Sequence, residues 1–235
     1  MIKFAKSVRR WWFERSLSPE ARSVRAEGLT YLDNEKFRRI EVALSELNRR
    51  RVPGAFVEFG IALGGSAIVI ATAAKGREFH GFDVFGMIPE PTSDKDDAKS
   101  KERYTAIRSG LSKGLRGDTY YGYRPDLYAE VRESFARHGV PVDDKTISLH
   151  KGLFEKTWPN ASIGKIALAH LDCDWYDPVK YCLSAVADKL SPGGAVVIDD
   201  YYAYGGCKAA VDEFVSSRQD FRFEKGLNPI LRKSV

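Results

Sequence analysis

Apolar and polar positions divide the chain into short, almost wholly apolar runs separated by longer amphipathic stretches. Ala55–Phe59, residues 78–82, 166–169 and 195–198 are too short for helices and, apart from Glu58, Glu78 and His80, apolar, so they read as buried strands; residues 146–150 form a fifth. Between them apolar residues return at helical spacing. Phe37, Ile40, Ala43, Leu44 and Leu47 predict a helix over residues 35–50, capped by Asn34 and ended by Pro53-Gly54. Further helices are expected from Ser66 through Ala74, over residues 131–138 and 178–190, and beyond Gly205-Gly206. A turn is expected at residues 191–194, and residues 221–223 with 229–231 suggest a closing pair of strands. Strand and helix in alternation predict one α/β domain around a mostly parallel sheet.

Two of the apolar strands end in paired acids. The stretch HLDCDWYDP, residues 170–178, delivers Asp172 and Asp174, and the run at 195–198 delivers Asp199 and Asp200. The spacing, 200 − 172 = 28, is that of one strand, helix, strand crossover, so neighbouring parallel strands would gather at least three carboxylates at one sheet edge. Like charges held together require a compensating cation, and oxygen ligands suit a hard divalent ion such as Mg²⁺. Nearer the start, strand, turn and helix follow one another through E-F-G-I-A-L-G-G-S, residues 58–66, with backbone N–H groups expected to be free at the helix N-terminus. This is neither a dinucleotide G-x-G-x-x-G nor a phosphate loop ending in G-K-[ST]. Asp83, 25 residues after Glu58 (83 − 58), closes the next strand, where a carboxylate can meet ribose hydroxyls.

Composition narrows the picture. The chain has 235 residues and a net charge of +5. Its first 25 residues hold Lys3, Lys6, Arg9, Arg10, Arg15, Arg22 and Arg25 against Glu14 and Glu20, a balance of +5 that leaves the remainder neutral. The basic excess therefore belongs to a terminal arm, read as packing on its own domain or on a second copy in a homo-oligomer, with peripheral membrane contact as the lesser alternative. A nucleic-acid partner is not expected. Three cysteines, Cys173, Cys182 and Cys207, make no CxxC pair and point to a reducing, cytoplasmic setting. No apolar signal segment is read near the start. Residues 86–130 form a charged, tyrosine-rich insertion, expected to be mobile at 92–103 and to close as a lid. Tyr120, Tyr121, Tyr123 and Tyr128 serve either as pocket walls or as ordinary packing. Residues 1–51 stand as an arm and helix before a domain spanning 52–235.

Taken together, VEFGIALGGSA, FHGFDVFG, LHKGLFEKT, HLDCDWYDP, KLSPGGAVVIDDY and GCKAAVDEF resemble the macrocin O-methyltransferase family, from about Val52 to Phe214. The resemblance implies a class I methyltransferase, Rossmann-like doubly wound sheet, mostly parallel with an antiparallel C-terminal strand. It also implies S-adenosylmethionine as donor, bound Mg²⁺, and a sugar hydroxyl of a glycoside as acceptor. By position, Glu58, Phe59, Gly60, Gly64, Gly65 and Ser66 would surround the methionine end of the donor, Asp83 its ribose, and Gly152, Leu153 and Phe154 the adenine. Asp172 would touch the donor, hold metal with Asp199 and Asp200, and serve as the base or stand next to it. The family motif also includes Asp174, as ligand or as orienting group. Leu63 stands where many relatives carry Arg, and VFGMIPEP replaces a more usual turn after Asp83. The rival readings are methylation of a catechol or other phenol, and a non-catalytic binding protein on the same scaffold.

Overall fold

A computed structural model describes residues 16–235. The basic arm through Arg15 lies outside the described residues. Seven strands form one sheet in the order β3-β2-β1-β4-β5-β7-β6. They are β1 (Ala55–Phe59), β2 (Phe79–Asp83), β3 (Ile147–Lys151), β4 (Ile166–Leu171), β5 (Leu190–Ile198), β6 (Phe221–Glu224) and β7 (Ile230–Lys233). β1 to β5 pair in parallel, and β7 runs antiparallel to both β5 and β6. Strand order reverses between β1 and β4, which makes the ends of those two strands the topological switch point where open α/β sheets take ligands.

The strand pleat sorts side chains to two faces. Phe56, Leu168, Ala195 and Val197 pack beneath α1 (Pro19–Ala26), α2 (Asn34–Arg49) and α3 (Gly65–Ala74). Val57, Ala169, Val196 and Ile198 point the other way, toward two helices that follow β4 and β5. Burial on both faces explains why these strands read as continuous apolar runs rather than as an alternating pattern.

Several boundaries moved. Asp33, not Asn34, caps α2: its carboxylate accepts the Lys36 N–H at 2.8 Å, while Asn34 is buried in the first turn. β2 and β3 each begin one residue later than expected. The turn at 191–194 is absorbed into β5, where Gly193 adopts φ +77° and the register against β4 shifts, as in a bulge.

The insertion is the main correction. Its segment at 92–103, expected to be mobile, holds the first half of α4 (Ala98–Arg108) and is fastened to the domain. Asp97 caps α4 through Ser100 N and also accepts the Gly205 N–H at 2.8 Å, and Asp96 accepts the Tyr176 N–H at 2.9 Å. Those two N–H groups open α8 (Gly205–Ser217) and α7 (Tyr176–Ala187), so each carboxylate meets the positive end of a helix dipole. Gly205 and Gly206 are glycines because a Cβ there would lie 2.8 Å from Asp97 Oδ2 and 2.0 Å from Asp96 Oδ1. A short 3₁₀ turn, Tyr121–Tyr123, leads to α5 (Leu127–Arg137), capped by Asp126 and begun four residues earlier than expected. A one-turn helix, α6 (Phe154–Thr157), follows β3.

Candidate active site

β1 and β4 lie in register at the switch point, with Glu58 opposite His170. Both side chains are fully buried, and the imidazole Nδ1 approaches Glu58 Oε1 at 2.7 Å. Burial alone would lower the imidazole's pKa, but the Glu58 carboxylate outweighs it and holds His170 above its ordinary value. Two residues further on, the strand ends touch. Gly60 takes φ +89°, and a Cβ there would lie 1.8 Å from the Asp172 carbonyl oxygen, so only glycine lets the donor-type loop meet the acidic strand end.

The loop between β1 and α3 is organised by Asp83. Its Oδ2 accepts the N–H groups of Ile61 (2.7 Å) and Ala62 (3.0 Å), and Oδ1 accepts that of Phe85 (2.6 Å). Removal from water raises the Asp83 pKa, against the opposing pull of those three N–H groups. Of the residues matched to the donor, Gly60, Gly152, Leu153 and Phe154 are accessible, with Ala62 beside them. Glu58 and Phe59 are fully buried and support the loop from behind. Gly64, Gly65 and Ser66 are buried as well: a Cβ on Gly64 would meet Val131, and one on Gly65 would lie 2.5 Å from the Leu29 carbonyl oxygen. The Gly65 N–H, expected to be free for a ligand, is donated to that carbonyl at 2.9 Å.

The acids converge. Carboxylate oxygens of Asp172, Asp174 and Asp200 all lie within 4.8 Å of one another. Asp172 and Asp174 are half-buried and Asp200 is 7% exposed. Asp174 sits at φ +57°, a left-handed turn that Asp tolerates, and its backbone N–H donates to Asp200 Oδ2 at 3.3 Å. Loss of hydration and mutual repulsion push the Asp172 and Asp174 carboxyls well above the usual range and Asp200 up to about 6. Acids so crowded that they resist ionising, all offering oxygen, suit a hard divalent cation.

Asp199 is a fourth carboxylate beside them: after burial, its charge is the largest influence on Asp172, and its buried Oδ1 has no hydrogen-bond partner. Its Oδ2 is paired with the Lys36 ammonium at 2.7 Å, and the same ammonium donates to the Asp199 carbonyl at 3.0 Å. No Asp199 oxygen joins a three-ligand group among the described residues. Sequence reasoning placed Asp172, Asp199 and Asp200 with the metal and left Asp174 undecided; the oxygens of Asp172, Asp174 and Asp200 converge, and Asp199 lies beside them. That reasoning missed Lys36 altogether: a lysine on the polar side of an amphipathic helix carries no signal, and its partner lies 163 residues away.

Groups of the insertion, and Tyr204 just before α8, lie near the acids. Burial and nearby Asp174 raise the phenols of Tyr120, to about 12, and of Tyr204, and Arg103 acts on both from α4. Arg103 lies 5.5 Å over the Tyr120 ring and donates to Ser112 Oγ at 2.6 Å. Tyr123 and Tyr128 take the packing role instead. Tyr123 donates to the Ile107 carbonyl, and the Tyr128 ring meets Phe85 edge-on at 4.9 Å.

A mostly parallel sheet of this order, closed by antiparallel C-terminal strands, is the class I O-methyltransferase fold. The chain belongs to the macrocin O-methyltransferase family, whose model matches residues 5–228. It is 31% identical over 192 residues to 8-demethyl-8-(2,3-dimethoxy-alpha-L-rhamnosyl)-tetracenomycin-C 4'-O-methyltransferase of Streptomyces olivaceus, covering 80% of this chain and 66% of that protein. The chain therefore spans about two thirds of that relative's length. Demethyldecarbamoylnovobiocin O-methyltransferase of Streptomyces niveus is 26% identical over 207 residues, covering 86% and 73%. Among solved structures, the O-methyltransferase NovP superposes with a TM-score of 0.71 at 23% identity, covering 88% of this chain and 82% of that one. No described helix is long and apolar enough to cross a membrane.

Proposed function

We propose that this protein transfers a methyl group from S-adenosylmethionine to a sugar hydroxyl of a glycosylated natural product, with a divalent cation such as Mg²⁺ at the acidic cluster. The observation that carries the reading is the meeting of the Gly60 loop and the Asp172, Asp174 and Asp200 carboxylates at one switch point, in a chain of this family. The relative named for acting on a rhamnosyl-tetracenomycin supports the acceptor class.

S-adenosylmethionine would supply an electrophilic methyl on a sulfonium, and a divalent ion at the acids would lower the pKa of an acceptor hydroxyl and orient it. The chain's own residues do the rest. Asp83 fixes the loop at Ile61 and Ala62, while Gly60, Gly152, Leu153 and Phe154 offer the accessible surface for the donor. Asp172, beside that loop, accepts the hydroxyl proton as the oxygen attacks. Tyr204 and Arg103 would line the acceptor side, with the buried Tyr120 behind them. Holding donor and acceptor in line is worth roughly 7–11 kcal/mol of the barrier.

The test is mass spectrometry of methyl transfer to three acceptors: a glycoside with vicinal hydroxyls, its analogue lacking the neighbouring hydroxyl, and a simple catechol. Preference for the first is expected. Preference for the catechol would replace the sugar with a phenol, and absence of S-adenosylhomocysteine binding by calorimetry would remove the activity itself.

A further inference from the structure

α4 lies over the turn that follows β5. The Lys99 ammonium donates to the Ala203 carbonyl at 2.6 Å and rests 5.1 Å from the centre of the Tyr204 ring. That turn is itself tied to the acids, because the N–H groups of Ala203 (2.9 Å) and Tyr204 (3.1 Å) donate to the Asp200 carbonyl. Arg103 follows Lys99 by four residues, so both stand on one face of α4.

Arg103 is the cation of that face with donors to spare. Its Nη1 donates to Ser112 Oγ at 2.6 Å and its guanidinium lies 5.5 Å over the Tyr120 ring, but it forms no ion pair among the described residues. A guanidinium carries five N–H groups, and none of those left over is sealed within the protein. Other arginines of the insertion are committed: Arg124 to Asp118 and Glu130, Arg116 to the carbonyls of Arg25 and Ala26. Burial is the first influence on the ionisation of Asp174, Tyr204, Tyr120 and Tyr31, and in all four the Arg103 charge opposes it. The guanidinium therefore stands between these rings on the side that faces the acids.

Charge decides what it meets there. Lys36, paired with Asp199, and a divalent ion would together offset all but one of the four negative charges of the strand-end aspartates, and Arg103 offsets the last. An acceptor bearing its own charge would undo that balance, whereas a neutral polyol keeps it. We infer that Arg103 selects the acceptor, donating its uncommitted N–H groups to a third oxygen of a neutral sugar, next to the vicinal pair presented to the ion. This rests on the sugar-methylation reading above and adds to it a residue that determines specificity.

Methyl transfer to methyl α-L-rhamnopyranoside, which has three contiguous hydroxyls, and to its three monodeoxy analogues tests the inference in wild type and in Arg103→Met. One analogue lacks the reacting hydroxyl and is inert to both proteins, and one lacks its partner at the ion and suffers in both. For the third, wild type should lose about 10- to 100-fold in kcat/KM, the worth of a hydrogen bond from a charged donor. Arg103→Met should lose as much on the parent glycoside and then be indifferent, within about 2-fold, to that hydroxyl. S-adenosylhomocysteine should bind the two proteins within about 3-fold by calorimetry. A role confined to packing α4 would leave the cost of deleting the third hydroxyl equal in both, and that result overturns the inference while sparing the sugar reading. If Arg103→Met does not fold, Arg103→Lys, which keeps the charge and loses the fork, carries the same comparison. Faster methylation of a glucuronide than of its neutral counterpart would overturn the neutral acceptor. Wild type that methylates none of these glycosides would overturn the sugar reading and this inference together.

Discussion

Gly60 and Gly76 separate two effects that are usually confounded at glycine. Both adopt left-handed backbone, φ +89° and +86°, but a Cβ on Gly60 would lie 1.8 Å from the Asp172 carbonyl oxygen while one on Gly76 meets nothing within 4 Å. Left-handed strain alone costs an L-residue about 1–2 kcal/mol. Gly76→Ala should therefore lower stability by about 1 kcal/mol. Gly60→Ala should lose about 4 kcal/mol or fail to fold, because carbonyl backbone cannot move aside as a flexible side chain could. Urea unfolding midpoints check the pair, and equal losses would show that the contact between the β1 and β4 ends is slack. What each glycine of this turn meets could not be read from the sequence: for Gly60 it is the Asp172 carbonyl. Gly64 and Gly65 look alike in sequence, but they serve packing against Val131 and Leu29, which lie far off in the chain or on a different helix.

At the scale of elements, legibility followed the strength of the apolar stripe. α2 buries Phe37, Ile40, Ala43, Leu44 and Leu47 along one face, and its pattern alone placed it. α4 buries only Ser100 and Ile107, so its sequence, AKSKERYTAIR, reads as a solvated loop. What holds α4 is polar and long-range: Asp96 and Asp97 on the openings of α7 and α8, and the Lys99 ammonium on the Ala203 carbonyl. Asp97 is held below its ordinary pKa: burial opposes this, but the N–H and hydroxyl of Ser100 and the N–H of Gly205 prevail. Asp97→Ala removes an N-cap, worth about 1 kcal/mol, and leaves the Gly205 N–H without its partner, worth about another 1–2 kcal/mol. The expected outcome is a loss of about 2–3 kcal/mol, with hydrogen exchange accelerated across Ala98–Arg108. Unchanged protection there would mean that α4 is held by contacts other than these carboxylates.

For the whole molecule, the succession of strands and helices was enough to give a parallel sheet and to bring β4 and β5 together, because the central strands β1 and β4 are buried throughout and the β4–β5 crossover is a single helix. Interactions between distant elements were not legible, and the two histidines at the β2–β3 edge are a case with a measurable consequence. His80 and His150 stack at 5.5 Å, and His150 also lies 4.4 Å from the Phe82 ring. Burial, and then the neighbouring His80, push the His150 imidazole down to about 4. A histidine in the unfolded chain titrates near 6.5. Between those values the unfolded chain binds the proton and the folded one does not, so stability contributed above about 6.5 is lost as pH falls toward 4. Asp200, pushed up to about 6, works in the opposite sense: its folded form binds the extra proton, so its contribution weakens as pH rises through the same window. Wild type alone would therefore show only the sum. Comparison with His150→Gln isolates the histidine pair, since Asp200 is common to both proteins and His80, itself held below its ordinary value by burial, lies 3.2 Å from the replaced ring. The melting temperature of the variant should fall less than that of wild type between pH 6.5 and 4.5, whatever offset the lost ring contact with Phe82 gives at pH 7. Parallel curves would show that His150 carries its proton as readily in the folded protein as in the unfolded chain.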